Sequence, residues 1–510
     1  MKDDEKIFIK KNSKLWSIFL TKTNGKKILF EKPSIPEINY VNSIFAIVLN
    51  QSKSYTPIWI YSNKHSIELF KSYVSSSKYI KPPLLFFSLI KVIIISILKF
   101  LNIYKTNDII SISYDNVKYG DIIYDTYLTY KKVATIKKPD LTLLAIIITC
   151  FKRHEEFKTI LKNDNFDGVF VSHHVNIHSG VLLRTAIRYG YKGYVRSGAS
   201  ELLCIEKLED ISEIGKPPKE NIKNILINFD GNISDIYKKT FEENLSGKFN
   251  FDHANAYSKN NIKYLDRNEF NRKYNLNINK KNVFVMMHIF NDSPHSHYNG
   301  MIFKDYYDWL EQTILIAKQN NNVNWIFKQH PSINVYPTLD VSYELLFSNI
   351  PNNIIYIDEN HQVDTRILKY CADVIVTCAG SAGFELPAMA GIPSIVAGDN
   401  YYTGLSFAIE PKTEKEYFSV LKNIENIKLL TPNQQKLAQA YYLYLYLPKH
   451  NFLSIYPSNR KDSNRKDDSF DNIYQTLLQN KDIIKKEIDN YALEISKPNF
   501  KQMVGNINGK

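Results

Sequence analysis

The chain has 510 residues, 44% of them hydrophobic and 13% aromatic, and a formal net charge of +13. That length exceeds one ordinary core and implies two domains of roughly 200–250 residues in a globular protein. The basic surplus is dispersed and comes with no Lys/Arg-Gly-Phe-x-Phe core, so anionic ligands or an anionic membrane surface are the expected partners, not nucleic acid.

In chain order, Met1-Lys2-Asp3-Asp4-Glu5-Lys6 has no apolar run behind it of the kind a signal peptide carries, which predicts a cytoplasmic protein. The segments 43–49 and 57–61 read as strands and 65–75 as a helix. Pro82-Pro83 then precedes an almost wholly apolar stretch, 84–101, interrupted by Lys91 and Lys99. On a helical wheel Ser88, Lys91, Ser96 and Lys99 share one narrow side. The segment is an amphipathic helix with a very wide apolar face, either buried or laid on anionic lipid. Residues 109–130 are mixed, 141–161 a helix, 167–172 a strand, 178–189 a helix closed by Gly190, and 192–196 a strand. Polar residues dominate 207–279, and a domain junction is expected near 260–280.

A second alternation follows: strand 283–289, helix 306–320, strands 325–329 and 354–357, helix 365–371. Then comes a βαβ unit over 372–398, which reads as a buried strand, a small-residue loop, a short helix, a tight turn and a second buried strand. Beyond 447 the pentapeptide Ser458-Asn459-Arg460-Lys461-Asp462 repeats as Ser463-Asn464-Arg465-Lys466-Asp467, a solvated loop, before a helix at 468–493. The expected fold class is α/β, with two Rossmann-like domains, 1–265 and 266–450, facing a cleft. The tail, 451–510, is a polar loop and a helix that packs back on the body. The cysteines Cys150, Cys204, Cys371 and Cys378 form no Cys-x-x-Cys pair and read as ordinary thiols in a reducing compartment.

Five segments carry candidate chemistry. In Cys378-Ala379-Gly380-Ser381-Ala382-Gly383, small residues let a ligand approach the backbone, and the helix behind offers free N–H groups to a phosphate. Gly380, Ser381, Ala382 and Gly383 are therefore candidate phosphate ligands. Glu385, one turn on, either accepts ribose hydroxyls or complements the helix dipole. The loop lacks the Lys-Ser/Thr of a P-loop. In Lys328-Gln329-His330-Pro331, His330 leaves a strand end where it can donate to a phosphate oxygen, with Lys328 beside it. Tyr402 and Gly404 belong to a loop placed to meet a base or sugar. Asp292, His295 and His297 cluster after the first strand of the second domain, at a spacing that fits no standard metal site. Of these, Asp292 is a candidate catalytic group and His295 a candidate donor contact. In Ser172-His173-His174-Val175-Asn176-Ile177-His178, His174 is a candidate base. Only one of His173 and His174 faces the cleft if the strand continues there. Glu201, after the next strand, is a second candidate base.

Taken together, His330-Pro331, the Gly380-Ser381 loop before Gly383-Phe384-Glu385, and the turn Gly398-x-x-Tyr401-x-x-Gly404 resemble the bacterial capsular polysaccharide synthesis glycosyltransferases. Within that group the chain is most similar to Kdo-transferase-like enzymes of GT-B type. The likeness is clearest over 283–405 and looser over 105–205. It implies transfer of a sugar, Kdo or another acidic sugar, from a nucleotide-sugar donor such as CMP-Kdo to a capsule or lipopolysaccharide acceptor, a glycan or glycolipid. Related sialyltransferase-like families contact the CMP-sugar phosphate through a His-Pro and a Ser/Thr pair, a role that carries over to His330 and Ser381. The usual Ser-Thr or Ser-Ser pair is Gly380-Ser381 here. No cofactor beyond the donor substrate is expected, and no metal if protein groups neutralise the phosphate, since Asp-x-Asp does not occur; the segment 84–101 offers peripheral contact with the inner membrane. A teichoic-acid-type polyol-phosphate transferase and a non-catalytic glycan-binding subunit of export machinery are the alternatives.

Overall fold

The computed structural model describes residues 3–500 except 23, 33–35, 62–63, 84–85, 198–203, 215–218, 230–231, 246–264, 298–299, 335, 359–364, 447–469 and 499. Glu201 and the pentapeptide repeat lie outside the described residues.

The first domain contains β1 (Lys27–Phe30), β2 (Thr56–Ile60), β3 (Lys78–Ile80), a small hairpin of β4 (Ser113–Tyr114) and β5 (Val117–Lys118), then β6 (Gly168–Val171), β7 (Lys192–Ser197) and β8 (Cys204–Leu208). Its sheet runs β3-β2-β1-β6-β7-β8, parallel throughout except for β8, which pairs antiparallel with β7. The second domain contains β9 (Asn282–Met286), β10 (Gly300–Met301), β11 (Asn324–Lys328), β12 (Ile354–Ile357), β13 (Val374–Thr377), β14 (Ser394–Val396), β15 (Gly398–Asp399) and β16 (Ala408–Ile409). Its main sheet, β12-β11-β9-β13-β14-β16, is parallel throughout. Every residue of β2, β6, β11 and β13 is buried. That is why these strands read as unbroken apolar runs: helices cover both faces of a parallel sheet. Each sheet reverses its winding direction once, between β1 and β6 and between β9 and β13. In doubly wound sheets the carboxyl ends at such a reversal form the ligand crevice. The expected fold of two Rossmann-like domains is present.

Three local expectations differ. Residues 43–49 lie within a helix, Pro36–Lys53, with Ile44 to Leu49 fully buried. An apolar run buried on every side carries no period that separates helix from strand. The helices Lys219–Asn228 and Ile233–Leu245, inside the expected first domain, pack on the second. There Ile222, Ile225 and Tyr237 share a core with Phe384, Tyr402 and Tyr442. Their amphipathic pattern fixes which face is buried and not against which domain. The tail forms two helices, Phe470–Gln479 and Lys481–Ser496, and it returns to the first domain. Ile484, Ile488 and Tyr491 join a core with Trp16, Phe45 and Trp59.

The helix Phe86–Leu101 is not buried. Val92 and Ser96 face the protein, where the helix packs along Leu141–Asn163, while Phe86, Phe87, Ile94, Leu98 and Leu101 are exposed by 53–86%. Among the described residues, no helix is long and apolar enough to cross a membrane.

One helix, Gly120–Lys131, ties the domains together. Ile122, Ile123 and Leu128 belong to the first domain's core. On its other side Tyr124 Oη donates to Asp305 Oδ2 at 2.7 Å, and Thr129 Oγ1 donates to the Asn291 carbonyl at 3.1 Å. Asp125, fully buried, accepts from the Ser296 amide and hydroxyl, both at 2.6 Å, and from the His295 amide at 3.2 Å. The segment that follows continues the contact: the Ala134 amide donates to Asp340 Oδ1 at 2.8 Å and Lys304 Nζ to the Ile136 carbonyl at 3.0 Å.

Candidate functional site

At the reversal of the second sheet, the chain leaving β13 makes the small-residue loop, and the chain leaving β9 presents His288. The His288 ring stacks on Tyr306 at 4.4 Å between centroids and meets Trp309 edge-on at 5.7 Å. Its Nε2 lies 2.9 Å from Thr377 Oγ1 and accepts the amides of Cys378 at 3.2 Å and Ala379 at 3.4 Å. Burial, with the neighbouring His330 second, lowers its pKa to about 3, so the ring is a neutral acceptor at physiological pH. Thr377 Oγ1 takes the Gly380 amide at 3.2 Å, and Tyr402 Oη donates to the Gly380 carbonyl at 3.0 Å. The loop is thus braced from three sides. The helix it opens, Ala382–Ala390, begins at an exposed Ser381 whose hydroxyl makes no cap bond and is left for a ligand, with the buried Ala382 next to it, whereas the Gly383 and Phe384 amides already donate to the Gly380 and Ser381 carbonyls, both at 3.0 Å.

Glycine is required here by space. A Cβ on Gly383 would stand 2.1 Å from Tyr402 Oη, and one on Gly380 would stand 2.9 Å from Thr377 Oγ1. His330 leaves the neighbouring β11. Its Nδ1 accepts the Ser332 amide at 3.1 Å, and burial, then Lys328, lowers its pKa to about 4. A neutral ring that accepts at Nδ1 carries its proton on Nε2, so His330 is a hydrogen-bond donor without a charge.

The other sequence candidates are placed as follows. Lys328 is buried at the end of β11. Glu385 is buried, close enough to Tyr237 to act on its hydroxyl. Tyr402 is a brace for the loop, and Gly404 is an exposed turn residue at φ +80° whose amide donates to Glu410 at 2.7 Å. His295 is engaged elsewhere: its Nε2 donates to the Lys304 carbonyl at 2.8 Å and its ring meets Tyr124 edge-on at 4.9 Å. Asp292 is exposed beside His297. His174 is buried, and burial holds its pKa at about 3, which makes it a poor proton acceptor at neutral pH.

Sequence reasoning missed two residues. His288 sits inside a polar run that was noted for its other members. Glu31 directly follows β1 at the reversal of the first sheet and is 2% exposed. Its Oε1 accepts from the Ser172 amide at 2.9 Å, from the Ser172 hydroxyl and from Asn42 at 3.2 Å, while Oε2 has no partner among the described residues. A carboxylate set immediately after a short apolar strand was the available signal, but β1 itself, Lys-Ile-Leu-Phe, was not recognised.

No family model and no curated protein matches this chain. Among solved structures, S. aureus MnaA with UDP aligns at 11% identity over 84% of this chain and 94% of that one, with a TM-score of 0.27. Anabaena HepE in complex with UDP and glucose aligns at 10% identity over 89% and 98%, TM-score 0.24. The glycosyltransferase SnogD from Streptomyces nogalater aligns at 9% identity over 82% and 93%, TM-score 0.25. Scores of this size carry no argument, and the fold stands on the strand order and register described above.

Proposed function

We propose that the protein is a nucleotide-sugar glycosyltransferase whose donor phosphates rest against the loop 378–383. The observation that carries this reading is the pairing of two sheet reversals. One presents a braced, glycine-dependent loop beside the neutral donor His330, and the other presents the buried carboxylate of Glu31, one oxygen of which has no partner among the described residues. As the bond to the leaving phosphate breaks, His330 Nε2–H, the Ser381 hydroxyl and the helix N-terminus stabilise the growing negative charge. Glu31 takes the proton of the attacking acceptor hydroxyl. The likeness of the His-Pro and Ser381 segments to capsule and lipopolysaccharide transferases supports a bacterial surface glycan as acceptor and an acidic sugar such as Kdo, carried on CMP, as donor.

Thermal unfolding with CMP, UDP and GDP tests this. One of the three nucleotides should stabilise the folded chain, by about 2.7 kcal/mol when present at about 100 times its Kd. Gly383→Ala should abolish that response, because its methyl group displaces Tyr402 from the loop. A chain indifferent to all three nucleotides overturns the assignment.

The exposed helix Phe86–Leu101 supports a second element of the same reading, that the enzyme works on an anionic membrane surface. A helix of 16 residues is about 24 Å long. Laid flat, it would sink its apolar face into the acyl boundary, with Lys91 and Lys99, both exposed, reaching the headgroups. Cosedimentation with anionic vesicles should greatly exceed that with zwitterionic ones. The triple change Phe87→Ser, Ile94→Ser, Leu98→Ser should abolish it while leaving the unfolding temperature nearly unchanged, since these side chains are outside the core. Undiminished binding by the triple variant refutes the membrane role.

A further inference from the structure

Three imidazoles meet where the domains face each other. His173 and His174 follow β6 in the first domain, and His297 lies in the loop after β9 in the second. The strand ends at Val171, so the chain bends and both neighbouring rings can turn to one point. The ring centroids are 5.4, 5.3 and 5.7 Å apart, and one ligating nitrogen from each residue lies within 4.8 Å of the others. His174 is 4% exposed; one nitrogen donates to the backbone carbonyl of His297, and Nε2 has no partner among the described residues. A metal-binding histidine is held in this way, with one N–H fixed on a carbonyl and the opposite lone pair presented to the ion.

We propose that His173, His174 and His297 form a transition-metal site that clasps the two domains together. Three neutral imidazoles with an open fourth position suit Zn²⁺, and also Co²⁺, Ni²⁺ or Cu²⁺, far better than the oxygen-seeking Mg²⁺ or Ca²⁺. Burial is the largest influence on all three rings and keeps them in the neutral form that a metal requires. Asp292 near His297 and Asp121 near His174 offset the ion's charge, while Arg196 near His173 and Arg184 near His174 oppose it. The nitrogens of a tetrahedral zinc site stand about 3.4 Å apart, given bonds of about 2.0–2.1 Å. Binding therefore draws nitrogens now up to 4.8 Å apart closer together, and with them the two domains. His173 Nδ1 accepts the His174 amide at 3.2 Å. Binding through Nε2 moves that ring's proton to Nδ1, at the loss of one long hydrogen bond.

The spacing of Asp292, His295 and His297 fits no zinc motif. The site emerges only when the fold adds two histidines from the other domain. It is independent of the donor-phosphate reading, because none of its ligands belongs to the loop 378–383.

The test uses the full chain, tag-free and stripped with chelator. Co²⁺ titration should show one equivalent with a visible tetrahedral absorption band, displaced by Zn²⁺. Zn²⁺ and not Mg²⁺ should raise the unfolding temperature. His174→Ala, His297→Ala and the bulk-preserving His297→Gln should each weaken binding by at least about 100-fold. The nucleotide-induced thermal shift, read on the same samples, reports whether the fold and donor site survive. Absence of a one-equivalent site in wild type, or unchanged affinity in folded variants, overturns the proposal.

Discussion

His330→Ala should lower kcat/KM for sugar transfer by about 10²–10³-fold, with most of the loss in kcat. The reason is the state of the ring. His330 is half-buried, neutral and fixed by the Ser332 amide, so it can donate one hydrogen bond from Nε2 at little reorganisation cost. Under the proposed function that bond would strengthen as charge gathers on the leaving phosphate, and an interaction that grows toward the transition state appears in kcat more than in KM. The fold should survive, since the hydrogen bond that fixes its side chain, from the Ser332 amide two residues on, is local. Ser381→Ala should act in the same direction, because its hydroxyl is exposed and bonds to nothing in its own helix. Steady-state kinetics with the nucleotide sugar that stabilises the protein provides the measurement. Wild-type kcat in both variants would remove the loop from the mechanism.

The second large effect concerns Asp125. Its carboxyl is buried on the helix that ties the domains, and burial pushes its pKa up to about 8 against the Ser296 and His295 donors that pull it down. Asp125→Ala leaves those donors buried and unmatched, at on the order of 3 kcal/mol or more. The pH dependence has a definite sign. A carboxyl whose folded pKa lies above its unfolded value of 3.8 stabilises the fold fully below about pH 4, and that contribution is lost as pH rises through about 8. Asp125→Asn stays neutral and keeps an acceptor. Between these limits wild type should therefore lose stability relative to Asp125→Asn, by at most about 1.4 kcal/mol per pH unit. Unfolding temperatures of both proteins from pH 5 to 9 decide the matter. Parallel curves would show that Asp125 is ionised throughout.

Most of the second domain was legible in the sequence. Short apolar runs that end at Gly, Ser or His mark parallel strands and the loops at their carboxyl ends, and the loop 378–383 lies where that pattern puts it. Legibility failed where the deciding contact is tertiary. The run 43–49 is buried on all sides, so periodicity was silent. The faces of Lys219–Asn228 and Ile233–Leu245 declared themselves apolar but not which domain they serve. Glu31, His288 and the three converging imidazoles gain their meaning from neighbours far away in the chain, and no local spacing encodes that. Ser96 shows the converse: polar on the helical wheel, it faces inward, while the larger apolar side chains of its helix stand exposed.

The path of the backbone has a mechanical consequence. The chain passes from the first domain to the second after β8, and it passes back before Phe470–Gln479 and Lys481–Ser496 settle on the first domain. The first domain's core is thereby built from both ends of the chain, while the hydrogen bonds along Gly120–Lys131 hold the second domain against it. Any opening of one domain against the other would have to turn about that tethering helix, so under the proposed function donor entry and product exit would share a single rotational coordinate.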